Sequence, residues 1–100
     1  MYLYNVTIKI DINRADEWLT WMREKHIPEV MATQYFTEHR ICRLVDEGDL
    51  EGITFAIQYT CNTIDDFLAY KIKAAPALQK DHSEKFGNDF IAFRTLMEIL

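Results

Sequence analysis

His26 leads the side chains in this sequence whose type and placement suit chemistry. It extends the series Ala15, Trp18, Leu19 and Met22, whose spacing traces one helix face. Pro28 follows two residues later. A neutral imidazole there can take a proton as a general base, or donate a hydrogen bond to a bound carbonyl. The plainer role is a histidine that satisfies the last carbonyls of a helix and complements its dipole. Trp18 and Trp21 lie on the same helix and can line an aromatic ligand pocket, with core packing the plainer role for Trp18 and an interfacial one for Trp21. Tyr70 and Tyr59 can offer hydroxyls to the same pocket, although a core tyrosine with its hydroxyl at the edge is ordinary. Arg94 falls in the middle of a strand and can anchor a carboxylate bidentately. Its structural alternative is an ion pair across a dimer, with Glu38 as partner.

Other chemistries find no support in the residue patterns. His39, His82, Cys42 and Cys61 do not form the two close-spaced pairs of a zinc site, so no metal is expected. Three glycines in the chain leave no phosphate-cradling loop, and there is no nucleophile elbow. The carboxylate pairs Asp65-Asp66 and Asp46-Glu47 sit at a helix start and in a turn, where such pairs cap and solvate.

Four strand signals and two helix signals position these residues. The first strand spans Tyr2 to Ile10, with Tyr2, Tyr4, Val6, Ile8 and Ile10 on one face and Leu3, Asn5, Thr7 and Lys9 on the other. Asn13 is the expected N-cap of the first helix, with Asp16 and Glu17 in its first turn. Pro28 limits that helix, and a second short turn can begin there. The second strand, Phe36 to Val45, carries Glu38, His39, Arg40 and Arg43, which suits an exposed sheet edge. A turn over Asp46 to Gly52 leads to the third strand, Ile53 to Cys61. The hairpin sets Cys42 opposite Ala56 and Cys61 near Thr37. The two thiols are then about five ladder steps apart at about 3.3 Å each, beyond the ~7 Å that a disulfide tolerates. Both are expected to be free, and at least half-buried.

The second helix starts at a cap over Asn62/Thr63, with an inner stripe of Phe67, Tyr70, Ala74, Ala77 and Leu78. Pro76 should kink or split it, and Gly87 should end it. The last strand runs from Asp89 to Ile99. Its alternation sets Ile91, Phe93, Met97 and Ile99 on one side and Phe90, Ala92, Arg94 and Leu96 on the other.

The order β-α-β-β-α-β predicts an α+β fold, the ferredoxin-like sandwich: a four-stranded antiparallel sheet with two helices on one face. The uniformly apolar strand faces should lie under the helices. The opposite face, with Thr7, Gln58 and Arg94 among its residues, is too apolar for a wet surface and too polar for a dry core. A second subunit packing sheet to sheet, as in a dimeric α/β barrel, explains it. Thr7, Gln58 and Arg94 are therefore the expected dimer-interface residues.

A length of 100 residues fits one domain, 1–100, and 49% apolar residues are ample for a core. The net charge of −5 and the lack of a Lys/Arg cluster argue against a nucleic-acid partner and against an anionic membrane surface. No apolar run is long enough to span a membrane. The N-terminus reads directly as a strand rather than a leader, so a cytoplasmic location is expected.

Three segments resemble a known family: Met1-Tyr2-Leu3-Tyr4-Asn5-Val6-Thr7, the run from Trp18 to Val30, and the close from Phe86 to Thr95. The family comprises small bacterial proteins with no assigned reaction, grouped with the dimeric α/β-barrel superfamily. A helix ending in His-x-Pro resembles a feature of cofactor-poor monooxygenases and small-molecule isomerases of that superfamily. The resemblance implies a homodimer with a ligand held between sheet and helices. Haem-degrading relatives use an Asn on the first strand, with a Trp and a His on the second helix. Asn5 and His82 match two of these, but the second helix has Phe67 and Tyr70 and no Trp. No cofactor is expected.

Two functions follow. The first is a small-molecule-binding homodimer with His26 at a pocket wall beside Trp18, Trp21 and Tyr70. Its chemistry would be cofactor-independent, as in a monooxygenase or an isomerase. The second is a structural or regulatory dimer without an open pocket. An open cavity at His26 favours the first. Phe55, Phe67, Phe86 and Phe93 filling that space would favour the second.

Overall fold

The computed structural model describes residues 1–45 and 51–100. Its strands are β1 (Tyr2–Asp11), β2 (Glu38–Arg43), β3 (Gly52–Cys61) and β4 (Phe90–Glu98). They form one antiparallel sheet in the order β2-β3-β1-β4. The helices are α1 (Ala15–Trp21), α2 (Ile27–Ala32), α3 (Ile64–Lys73) and α4 (Ala75–Phe86). This is the expected α+β, ferredoxin-like arrangement. Strand β2 is an exposed edge, as its charges require. Cys42 pairs with Ala56 as expected, and both cysteines are free thiols. Cys61 is buried, whereas Cys42 is exposed rather than half-buried. The pair Asp46-Glu47, and the body of the turn expected there, lie outside the described residues.

The first helical stretch departs from expectation at both ends. Its cap is Asp11, whose carboxylate accepts from the Asn13 N–H at 2.8 Å and opens a 3₁₀ turn over Ile12–Arg14. Pro28 does not stop the helix. A π-helical turn, Met22–His26, joins α1 to α2, and the Ile27 N–H reaches back to the Met22 carbonyl. Proline lacks an N–H and crowds the carbonyl four residues before it. Widening the preceding turn absorbs both defects, so the helix continues to Ala32.

The second stretch behaves as its prolines and glycine dictate. Thr63 caps α3 by accepting from the Asp66 N–H at 3.1 Å. The chain breaks at Ala74, and Pro76 sits in the first turn of α4. Gly87 ends α4 with φ of 53°. The break shifts the buried stripe of α4 to Ala75, His82 and Phe86, leaving Ala77 exposed.

The core is one cluster between helices and sheet. Trp18, 0% exposed, packs on Phe55 of β3 at 4.8 Å between ring centroids. Tyr4 packs on Phe67 and Tyr70 of α3. At ~25 cal/mol per Å² of apolar area, burying one such ring contributes on the order of 2–3 kcal/mol.

The phase of β4 is the main correction. Val6 pairs with Arg94, Ile8 with Ala92, Tyr4 with Leu96 and Ile10 with Phe90. Directly opposed residues share a face, so Arg94 lies on the helix side of the sheet and not on the open face where the interface was expected. Ile91, Phe93 and Met97 take the open face instead, 72%, 62% and 40% exposed. They lie beside Lys9, Thr7 and Leu3. Across this face a polar chain runs from Arg40 Nε to Gln58 Oε1 at 2.7 Å, from Gln58 Nε2 to Asn5 Oδ1 at 3.2 Å, and from Asn5 Nδ2 to Thr7 Oγ1 at 2.9 Å. No described helix is long and apolar enough to cross a membrane.

Candidate functional site

A small cavity lies between the sheet and the helices. Its sheet wall is Tyr4, Val6, Ile8, Ile57, Tyr59, Phe90 and Arg94, and its helix wall is Met22, His26, Tyr70, Gln79 and His82. It encloses about 30 Å³ that water can reach, room for about one molecule. A larger groove of about 440 Å³ adjoins it, bounded by Phe67, Lys71, Ala75, Thr95 and Leu96. Tyr4, Tyr70, Gln79 and Arg94 line both spaces and mark the neck where the two adjoin.

His26 is on the inner wall, as its helical spacing suggested, and it is carried by the π turn. Its Nδ1 is buried with no hydrogen-bond partner. Burial pushes the imidazole down to about 4, and Lys25 and Arg94 act in the same direction while Asp81 opposes them. His26 is therefore neutral at physiological pH. The orphan nitrogen costs stability unless a ligand or a water meets it.

His82 was the residue that spacing did not bring forward. It faces His26 with ring centroids 5.9 Å apart. Its Nε2 accepts from the Trp18 indole at 2.8 Å, which leaves Nδ1 as the protonated nitrogen of the neutral ring. Burial, with His26 and Arg94 adding to it, pushes His82 down to about 4. The signal was present: Leu78, His82 and Phe86 recur every four residues once the phase is reset at Pro76.

The two tryptophans stand behind the histidines, not on the cavity wall. Trp18 holds His82, and Trp21 stacks on His26 at 5.2 Å between centroids. Tyr70 lines both spaces, and burial raises its phenol well above the usual range. Burial also raises Tyr4, with Arg94 and Gln79 beside it pulling the other way. Phe55 and Phe86 are core residues and Phe67 bounds the groove, but Phe93 lies on the other side of the sheet. Thr7 and Gln58 are on the open face, remote from the cavity. Among the described residues no group of three His, Cys, Asp or Glu side chains could hold a metal ion.

This arrangement can exchange a proton with a neutral imidazole in a water-poor cleft, and can meet an anion at a guanidinium. Over residues 1–100 the chain matches the family described as "Domain of unknown function (DUF4286)". None of the curated proteins matches it. Among solved structures it is similar to a dimeric ferredoxin-like protein from an uncultured marine organism, at 9% identity and a TM-score of 0.79 over 99% of this chain and 95% of that one. It is also similar to HapK from Hahella chejuensis, at 12% identity and a TM-score of 0.73 over 100% and 93%. A third is a variant of SnoaB, a cofactor-independent oxygenase from Streptomyces nogalater, at 11% identity and 0.65 over 98% and 92%. At these identities the likeness is one of fold.

Proposed function

We propose that this chain, which belongs to the DUF4286 family of unknown function, is a small-molecule-binding homodimer with one cleft per subunit. The observation that carries the reading is the buried, unpartnered Nδ1 of His26, a residue lining a cavity that shares Tyr4, Tyr70, Gln79 and Arg94 with an adjoining 440 Å³ groove. The inner cavity admits only a small group. The body of a ligand would occupy the groove and project its reactive atom inward.

The chemistry that suits these residues is cofactor-independent proton transfer. His26, neutral and weakly basic, accepts a proton from an activated C–H or O–H. In an isomerisation the same proton returns to another atom of the substrate. In an oxygenation the carbanion reacts with dioxygen, supplied as the co-reactant. The cofactor-independent oxygenase among the structural neighbours is compatible with this reading.

Homodimerisation is supported by the open sheet face. Ile91 and Phe93 are more than half exposed there and flank Thr7. A contiguous apolar patch of this kind marks an interaction surface. A second copy presents the same patch, so a two-fold sheet-to-sheet contact covers both. Thr7 and Gln58 lie within that contact.

The water-sized inner cavity favours a second reading, a structural or regulatory dimer without catalysis. Native mass spectrometry of the protein purified from its own host cells separates the two. A dimer with a reproducible adduct of a few hundred daltons supports ligand binding. A clean dimer favours the structural role, and a monomer overturns the sheet-to-sheet contact.

A further inference from the structure

Resting on the binding reading above, we infer that the ligand is a small aromatic carboxylate, bound in the groove with its anionic end held at the neck by Arg94. The first observation is charge. Among the described residues, Lys71 and Arg94 are the charged ones that line the groove and no Asp or Glu does, in a chain whose net charge is −5. A cationic lining inside an acidic protein selects anions and repels cations.

The second observation is the surroundings of Arg94. Its neighbours at the neck are the phenol of Tyr4, the side chain of Gln79 and, further in, His26 and His82. All are neutral at physiological pH. Among the described residues no carboxylate pairs with its guanidinium. A planar, two-toothed donor of this kind fits a carboxylate better than a rounder anion. The third observation is the apolar part of the lining: Phe67, Tyr70 and Leu96 offer rings and an alkyl surface to a flat body. Arg94 sits where groove and cavity meet, so a carboxylate on it sets the adjoining part of the ligand toward His26.

The test uses naphthoate and its neutral amide, naphthamide, titrated by isothermal calorimetry at neutral pH. The full-length protein and its Arg94→Gln and Arg94→Lys variants are compared. The expected result is that naphthoate binds about tenfold or more tighter than naphthamide. Arg94→Gln should erase that preference and Arg94→Lys should keep part of it. Arg94 lies on an edge strand and is exposed, so both variants should fold, which circular dichroism verifies. Equal affinities for the two probes overturn the anion inference and leave a general apolar cleft standing. A preference that survives Arg94→Gln removes Arg94 as the anchor. If neither probe binds the wild-type protein at millimolar concentration, the aromatic-carboxylate inference fails, while a reproducible adduct in the native mass spectrum would leave the binding reading standing.

Discussion

The indole N–H of Trp18, on α1, donates to Nε2 of His82, on α4, at 2.8 Å in the buried core. One hydrogen bond thereby fixes the tautomer of a cavity histidine and ties the first helical stretch to the second. The partners are distant in sequence, and neither is charged.

Removing that donor should cost more than its own bond. Trp18→Phe leaves the His82 Nε2 buried without a partner, and the expected destabilisation is about 1–3 kcal/mol, plus the loss from the smaller ring. Chemical denaturation checks the size. The ¹⁵N shifts of His82 should show a change of tautomer that a pure packing loss would not produce.

Acid should destabilise the protein through both cavity histidines. Each is held near 4 in the fold by burial, below the ordinary histidine value of 6.5. Their native pKa values are depressed, so the unfolded chain binds more protons between those limits. Stability is then full above about 6.5 and falls as pH drops toward about 4. The loss between neutral pH and pH of about 5 should be on the order of 1–2 kcal/mol per histidine. Urea titrations across that range, on the wild type and on His82→Gln, measure it. A wild-type stability that is flat with pH contradicts the buried neutral pair.

An anion on Arg94 should reverse part of that depression. Arg94 lowers both histidines, and a bound carboxylate neutralises its field. NMR titration of the ring protons with and without naphthoate should show both histidines moving upward, with His26 and His82 shifting together.

Phe93→Asp should break the proposed sheet-to-sheet dimer and leave the fold intact. Phe93 is 62% exposed on the open sheet face, so the change removes apolar contact area and places a charge against the partner sheet. Sedimentation at micromolar concentration should report a monomer. Arg94→Glu should not do this, because Arg94 belongs to the helix side.

Gly87→Ala should destabilise by about 1 kcal/mol. Gly87 ends α4 at φ of 53° with open space around it, so the cost is backbone strain and no clash. Thermal unfolding of the alanine variant measures it.

The fold was legible in the sequence because its signals were local and redundant. Tyr2 to Ile10 alternates strictly, Thr63 and Gly87 are strong helix boundaries, and Pro76 splits the second helical stretch where its missing N–H requires. Helical spacing alone put His26 on the inward stripe of the first helical stretch. The face of β4 could not be read. Phe90, Ala92 and Leu96 are apolar on one side, and Ile91, Phe93 and Met97 on the other, so alternation does not say which set meets the helices. A shift of one residue exchanges the two faces of a strand, and that phase decides whether Arg94 meets a second subunit or the mouth of a cleft. Pairing with β1 settles it, by setting Arg94 beside Val6. The partner of Trp18 was hidden for a related reason: the distance between α1 and α4 depends on how both pack on the sheet, which no spacing within either helix contains. Residue patterns along the chain determined the elements and their order, while the register between strands and the packing of helices on them decided which side chains share a site.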